Sequence, residues 1–429
     1  MENVKPMYQK EPNRWLILVV SVIMNICVGS AYAWSVFQNP LITKFGWGTT
    51  ETSLAYTLNL ALIPIAMIVG GKILDAKGPK MVTLVGGIIF GAGFFLAGFS
   101  SSLMVLYLTY GVLGAFGIGA VYGCTVSNTV KWFPDKRGLA GGLTAAGFGS
   151  GAVIFAPLAA TLIGQYDVLT TFKILGVVFL VAIVLSSFFI KQPAPGWKLK
   201  GWEPPVATTT TSNTNSKNDL TPGQMLKTGK FYVLWIMYAI GTISGLMIIG
   251  HASPIGQEQI GLSPQTAAVA VSIVALANTC GRIFWGWVSD KIGRYNSIVF
   301  MYILSAVMLL VLNIAQNLPM FLIATMSIAL SFGGFMGIMP SVTADNFGSK
   351  SLGINYGIIF TAFGLAAVVG PRIASVAKET SGGLYSSAYI IASVLNIIGV
   401  VIALYMVMKV RKEKQNPINP EFENKKIIS

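Results

Sequence analysis

The stretch VALANTCGRIFWGWVSDKIGR, residues 274–294, sets Asn278, Arg282 and Asp290 four and eight residues apart in an otherwise apolar run. A guanidinium is permanently charged, and its planar fork can hold a carboxylate through two parallel hydrogen bonds. Asn278 lies one helical turn before Arg282, hence on the same face, where it can orient the guanidinium or touch a ligand. Eight residues at 1.5 Å each place Arg282 about 12 Å along a helix from the loop that follows. If the run crosses a membrane, that depth is near its middle, where a charge costs roughly 2.5–3.5 kcal/mol on insertion scales. Arg282 must therefore face protein or water and have a partner. All 15 Asp and Glu fall in loops, termini or the ends of apolar runs. This points to a ligand anion; helix-end carbonyls, or a span boundary shifted toward the interface, are the alternatives.

Other side chains could line the same place. Tyr122, in GAVYGCTVSN, has the matching depth in the first half of the chain, and its hydroxyl could reach a second carboxylate oxygen or a ligand hydroxyl. Tyr32 and Trp34, in GSAYAWSVF, are candidate cavity walls or interhelical packing residues. His251, in LMIIGHASPIG, is the only histidine and the only side chain near this path with an ordinary pKa near neutrality. No enzyme signature is present: there is no G-x-S-x-G, no Walker loop, no His/Cys cluster with metal spacing and no cofactor motif. The glycines of GAFGIG and AAGFGSG lie within apolar runs, where small residues let helices approach.

The elements that must position these residues follow from composition. With 54% hydrophobic and 10% charged residues in 429, the chain has too little polar surface to cover soluble domains of this size. Twelve apolar stretches are long enough to cross a bilayer, at 15–37, 54–73, 80–99, 103–129, 139–163, 168–190, 230–252, 264–288, 296–315, 318–340, 352–376 and 384–408. The first lacks a small-residue cleavage site and leads into further spans, so no signal peptide is expected. Cys27, Cys124 and Cys280 fall inside spans and read as packing residues. The net charge of +14 argues against nucleic acid because of where it sits: all but Lys44, Arg372, Lys378, Lys173 and Arg282 of the 29 Lys and Arg lie on one side if both termini do. That is the positive-inside pattern, with cytoplasmic termini in a prokaryotic-type cytoplasmic (inner) membrane. Residues 1–190 and 230–408 are expected as six-helix bundles, joined by a polar cytoplasmic linker over 191–229 and followed by a tail over 409–429. LTPGQMLKTGKFY, at the end of the linker, reads as a short interfacial helix.

The halves repeat. Gly71, Asp75 and Gly78 in the loop after span two recur as Gly286, Asp290 and Gly293 after span eight, at a constant offset of 215. SNTVKWF at Ser127 and SVTADNF at Ser341 form a second pair, and Gly138, Gly142 and Gly149 recur as Gly353, Gly357 and Gly364. Both loops read G-x-x-x-D-x-x-G: the glycines allow helix ends to approach, and the carboxylate can face a neighbouring helix N-terminus in a latch that exists only when the cytoplasmic ends are closed.

With that loop signature in both halves, the chain resembles the major facilitator superfamily over roughly residues 14–409, and WFPDKRGLAGG, NPL and NxxxRxFWGxxSDxxGR resemble the oxalate/formate antiporter family within it. The resemblance implies an all-α membrane protein, twelve transmembrane helices in two pseudo-symmetric six-helix bundles, with a midplane cavity and alternating access. It also implies Arg282 as the carboxylate-binding residue, supports Tyr122 as a cavity residue, and places His251 where other members have a polar or basic cavity residue. Oxalate-transporting members add a lysine on span eleven; in NYGIIFTAFGLAA that position falls on Phe363. One fixed cation matches one carboxylate, and Phe363 with Phe332 and Met336 would offer apolar surface to a methyl group. The expectation is a secondary transporter of lactate or pyruvate type, with a proton or counter-anion as coupled species. Oxalate/formate exchange is the alternative, with protonated His251 in part replacing the lysine. A transporter-like carboxylate sensor is disfavoured, because the tail carries no recognisable output domain.

Overall fold

The computed structural model describes residues 13–194, 197, 199, 219–380 and 385–415. Twelve helices are long and apolar enough to span a membrane: α1 Arg14–Phe45, α2 Thr49–Lys77, α3 Pro79–Ala97, α4 Leu103–Trp132, α5 Arg137–Gln165, α6 Val168–Ser187, α7 Gly229–Ile260, α8 Gln265–Ile292, α9 Arg294–Asn313, α10 Leu318–Phe347, α11 Leu352–Thr380 and α12 Ser386–Lys412. They match the twelve apolar stretches in order. Several extend past them, because a helix continues through polar residues wherever caps or neighbouring helices satisfy its last turns. Large apolar side chains such as Val177, Leu185, Val269 and Val401 point outward, as lipid-facing surfaces require. The short helix expected before span seven is a single capped turn, Pro222–Leu226; most of the 191–229 linker and the tail beyond 415 lie outside the described residues.

Packing repeats between the halves. The neighbours α1 with α5, α2 with α4 and α3 with α6 recur as α7 with α11, α8 with α10 and α9 with α12. The halves meet through α2 against α11 and α8 against α5, again a related pair. Two departures from regular helix fall in the first half. α1 tightens to a 3-10 segment at Gly29–Ala33, where a Cβ on Gly29 would overlap the Phe148 carbonyl of α5, and α4 carries π-helical turns over Tyr107–Leu113.

The repeated loop glycines serve two different ends. Gly78 and Gly293 have φ of 83° and 93°, a region L side chains rarely enter, and they make the tight turns out of α2 and α8. Gly71 and Gly286 are helical and serve contact instead: a Cβ on Gly71 would overlap the backbone of Gly353, and one on Gly286 the carbonyl of Gly138. These crossings close the molecule at the end that carries both loops, called here the latch face.

Candidate functional site

Arg282 is fully buried at the junction of three helices. Glycines bring the neighbours in: a Cβ on Gly142 of α5 would overlap the Arg282 carbonyl, and one on Gly337 of α10 would lie 2.6 Å from that oxygen. The guanidinium donates from Nη1 to the Ala145 carbonyl of α5 at 2.7 Å and from Nη2 to Asn278 Oδ1 at 3.1 Å, while Nε has no hydrogen-bond partner among the described residues. Asn278 in turn donates to the Ala329 carbonyl of α10 at 3.4 Å. No described carboxylate pairs with Arg282, whose charge is met by two neutral oxygens, the Phe148 ring 6.0 Å away and the nearby hydroxyls of Tyr32 and Tyr122. The carbonyl it meets lies inside α5, not at a helix end as the alternative reading supposed. Two neutral hydrogen bonds orient a buried cation but leave its charge uncompensated.

Near the arginine lies a narrow hollow of about 10 Å³, room for about one water molecule. Of the expected residues, Tyr32, Tyr122, Met336 and Phe363 line it together, joined by Phe148 and Phe360. An aliphatic wall comes from Leu60, Ile63 and Ile118. Tyr32 stands edge-on to Phe148, with ring centroids 4.9 Å apart, and Tyr122 packs against Phe148 and Phe360 at 5.2 and 5.7 Å. The hydroxyls of Tyr32 and Tyr122 lie within electrostatic reach of Arg282.

Three expected residues lie elsewhere. Phe332 packs against Gly245 of α7 in the core of the second bundle and does not line the cavity. Trp34 stacks with Tyr56 and packs at a tilt against Tyr110 inside the first bundle. His251 sits half-buried between α7 and α11, with Nδ1 3.2 Å from the Met247 carbonyl and Nε2 3.5 Å from Ser375 Oγ. Tyr385 packs on its ring, and Tyr385 is flanked by the Lys378–Glu258 ion pair. The resemblance placed His251 in the cavity; it is not among the cavity-lining side chains.

At the latch face, Asp75 accepts from the Gly353 and Ile354 amides at 3.3 and 3.1 Å, and Asp290 from those of Gly138 and Leu139 at 2.9 and 2.8 Å. Each carboxylate thus caps the first turn of a helix in the opposite half, where amides lack intrahelical partners and the helix dipole favours negative charge. Lys131 pairs with Asp75 at 3.2 Å and Arg294 with Asp290 at 2.6 Å. Arg294 also reaches Asp345, which Arg137 bonds from the other half at 2.6 Å.

Sequence reasoning missed several of these residues, though signals for some existed. Phe360 shares a helical face with Phe363, three residues away. Lys131 and Asp345 hold equivalent positions in the SNTVKWF and SVTADNF repeats, where the charge reverses sign. Nothing in the sequence singles out the Ala145 carbonyl.

The description Major Facilitator Superfamily matches residues 15–255 and again 231–429. The oxalate:formate antiporter of Oxalobacter formigenes is 31% identical over 414 residues, covering 95% of this chain and 96% of that protein. Monocarboxylate transporter 12 of Rattus norvegicus is 23% identical, with 88% and 82% covered. Among solved structures, the Major Facilitator Superfamily transporter FucP in the outward conformation superposes with a TM-score of 0.71 at 11% identity, over 90% of this chain and 98% of that one.

Proposed function

The chain belongs to the major facilitator superfamily, whose members are transporters and not enzymes, and on that premise we propose that it carries small monocarboxylates of the lactate and pyruvate type by alternating access. The observation that carries this reading is the uncompensated charge of buried Arg282 beside a cavity walled by aromatic and aliphatic side chains. One cation answers one carboxylate, and the apolar wall that includes Phe363 and Met336 suits a methyl group. A second carboxylate would lie in a low-dielectric cavity without a fixed partner.

In this reading residues 1–190 and 230–408 rock as bodies about the central site, in a cytoplasmic membrane with the latch face cytoplasmic. Breaking the Asp75 and Asp290 caps opens that face. Moving a monoanion inward against a negative-inside potential costs about 2.3 kcal/mol per charge per 100 mV, and a co-transported proton cancels that term. Proton symport is therefore the proposed coupling. His251 lies outside the cavity, which favours the Arg282–carboxylate pair as the seat of the proton.

The similarity to an oxalate:formate antiporter supports a second reading, exchange of small carboxylate anions through the same site. Proteoliposomes with a clamped pH gradient separate the two: labelled lactate should accumulate with the gradient and without internal anion. Accumulation only against preloaded oxalate or formate would establish exchange and sink the symport reading.

A further inference from the structure

One corner of the latch face carries cations that the latch does not use. Gly78, at φ 83°, turns the chain from α2 into α3, with Lys77 before it and Lys80 in the first turn of α3. The chain leaving α6 folds back over this turn: the Gln192 side chain lies 3.6 Å from where a Cβ on Gly78 would stand. Its neighbour Lys191 is pinned through its carbonyl, which accepts from Asn128 Nδ2 at 3.0 Å and from Trp132 Nε1 at 2.7 Å. Lys77, Lys80 and Lys191 are thus gathered around one turn, all exposed. No described carboxylate pairs with any of the three, since Asp75 holds the α11 amides and Lys131, and Asp135 holds Arg14. Just past α6, Phe188 and Phe189 are more than half exposed, and the Lys80 ammonium lies 4.8 Å from the Phe188 ring centroid. Farther from the turn, Met81 and Val85 of α3 and Leu185 of α6 are exposed, on helices that touch where a Cβ on Gly87 would overlap Ile183.

We propose that this corner of α3 and α6 binds one anionic phospholipid, its headgroup phosphate held by Lys80 and Lys191 with Lys77 beside them, and its acyl chains laid on Met81, Val85 and Leu185. Charge complementarity selects the headgroup, because three cations without a carboxylate among them favour an anion. Exposed aromatic rings at the end of a span belong at headgroup depth, and basic clusters there attract the anionic lipids of the cytoplasmic leaflet, the side to which the latch face is assigned above. An exposed apolar strip continuing from the lysines makes the occupant an amphiphile; a soluble phosphate ester would leave that strip unused. The duplication does not repeat the arrangement. At the offset of 215, Ile292 and Tyr295 stand in place of Lys77 and Lys80, Tyr295 donates to Asn346 Oδ1 at 2.9 Å, and Arg294 turns inward to Asp290 and Asp345. The rival place for such a lipid is the end of α12, where Lys409 and Arg411 have no described carboxylate partner.

The test titrates fluorescent phosphatidylglycerol, and phosphatidylcholine with the same chains, onto the full-length protein purified in neutral detergent, beside thermal-shift measurements with each lipid. Wild type should bind phosphatidylglycerol at least about tenfold more tightly than phosphatidylcholine and melt higher with it. Each lysine near an anionic headgroup is worth about a fivefold change in affinity, so Lys80→Gln with Lys191→Gln should weaken phosphatidylglycerol by about 25-fold and leave phosphatidylcholine unchanged. The double variant Lys409→Gln with Arg411→Gln should bind as wild type does. Equal binding of the two lipids by wild type overturns the proposal without any variant. Unchanged phosphatidylglycerol affinity in the Lys80 and Lys191 double variant overturns it too, as does a loss found in the α12 variant instead. Glycerol 3-phosphate should neither compete nor raise the melting transition; competition at the same concentrations as the lipid would make this a site for a soluble phosphate ester and refute the lipid assignment.

Discussion

Gly71 and Gly353 cross so closely that neither has room for a side chain: a Cβ on Gly71 would overlap the Gly353 backbone, and one on Gly353 would lie 3.0 Å from the Gly71 carbonyl oxygen. The related pair, Gly286 and Gly138, overlaps in the same way, and each crossing sits beside an aspartate that caps the partner helix. Close approach is thus a condition for each cap, because a carboxylate on α2 or α8 can reach the first amides of α11 or α5 only if the helix ends touch. Gly71→Ala and Gly286→Ala should therefore open the latch face. An overpacked contact costs about 1–3 kcal/mol, enough to shift the closed state by roughly 5- to 150-fold. Spin-label distances between the ends of α2 and α11 would report the shift, and unchanged distances in both variants would contradict it.

Asp75→Asn and Asp290→Asn should slow turnover more than they weaken substrate binding. Each substitution keeps an acceptor oxygen but loses the charge that holds two amides, and it leaves Lys131 or Arg294 without that partner. Charge-assisted hydrogen bonds contribute about 1.5–3 kcal/mol, all of it in the latched state. Binding titration beside initial-rate transport decides the matter; a large loss of affinity at an unchanged maximal rate would speak against a latch.

Arg282→Gln should lower lactate transport by at least about 30-fold, the lower range for removing one partner of a buried charge pair. Arg282→Lys should also be badly impaired, because an ammonium keeps the charge but cannot span Ala145, Asn278 and a carboxylate with one planar fork. Uptake by correctly inserted variants is the measurement. Near-normal lactate transport by the Gln variant would refute the central assignment.

His251→Gln should leave lactate affinity within about twofold of wild type, since surface and peripheral substitutions usually stay within about 0.5 kcal/mol and the imidazole packs against Ser375 and Tyr385 outside the cavity. Uptake should still follow an imposed pH gradient. Loss of that response in the variant, with binding intact, would return His251 to the proton path.

Phe363→Lys should move selectivity from lactate toward oxalate. Phe363 lines the cavity, 4.8 Å from Phe360, so a lysine there would bring a second cation to the site. At an effective dielectric near 20, a unit charge pair 4 Å apart interacts by about 4 kcal/mol, which favours a second carboxylate. Two cations without a ligand repel, so the empty protein should also melt lower. Competition of oxalate against labelled lactate measures the change, and unaltered relative potency would remove Phe363 from the site.

Sequence alone determined the twelve spans, the duplication and the cation around which the candidate site is drawn. Each of these is a one-dimensional signal: apolar runs of bilayer length, glycines and aspartates repeating at an offset of 215, and a charge at a depth where charge is expensive. The helix neighbours of Arg282 were not written in that form. Its partner is a backbone carbonyl, Ala145, which every residue possesses and no pattern can distinguish, and it becomes available only because Gly142 and Gly149 let α5 lie against α8. Tertiary packing likewise decided that Tyr32, Tyr122, Met336 and Phe363 share a cavity while Phe332 and His251 do not. The azimuth of a residue on a membrane helix is ambiguous in a sequence that is apolar on every face, so only the packed neighbours fix which way each side chain points.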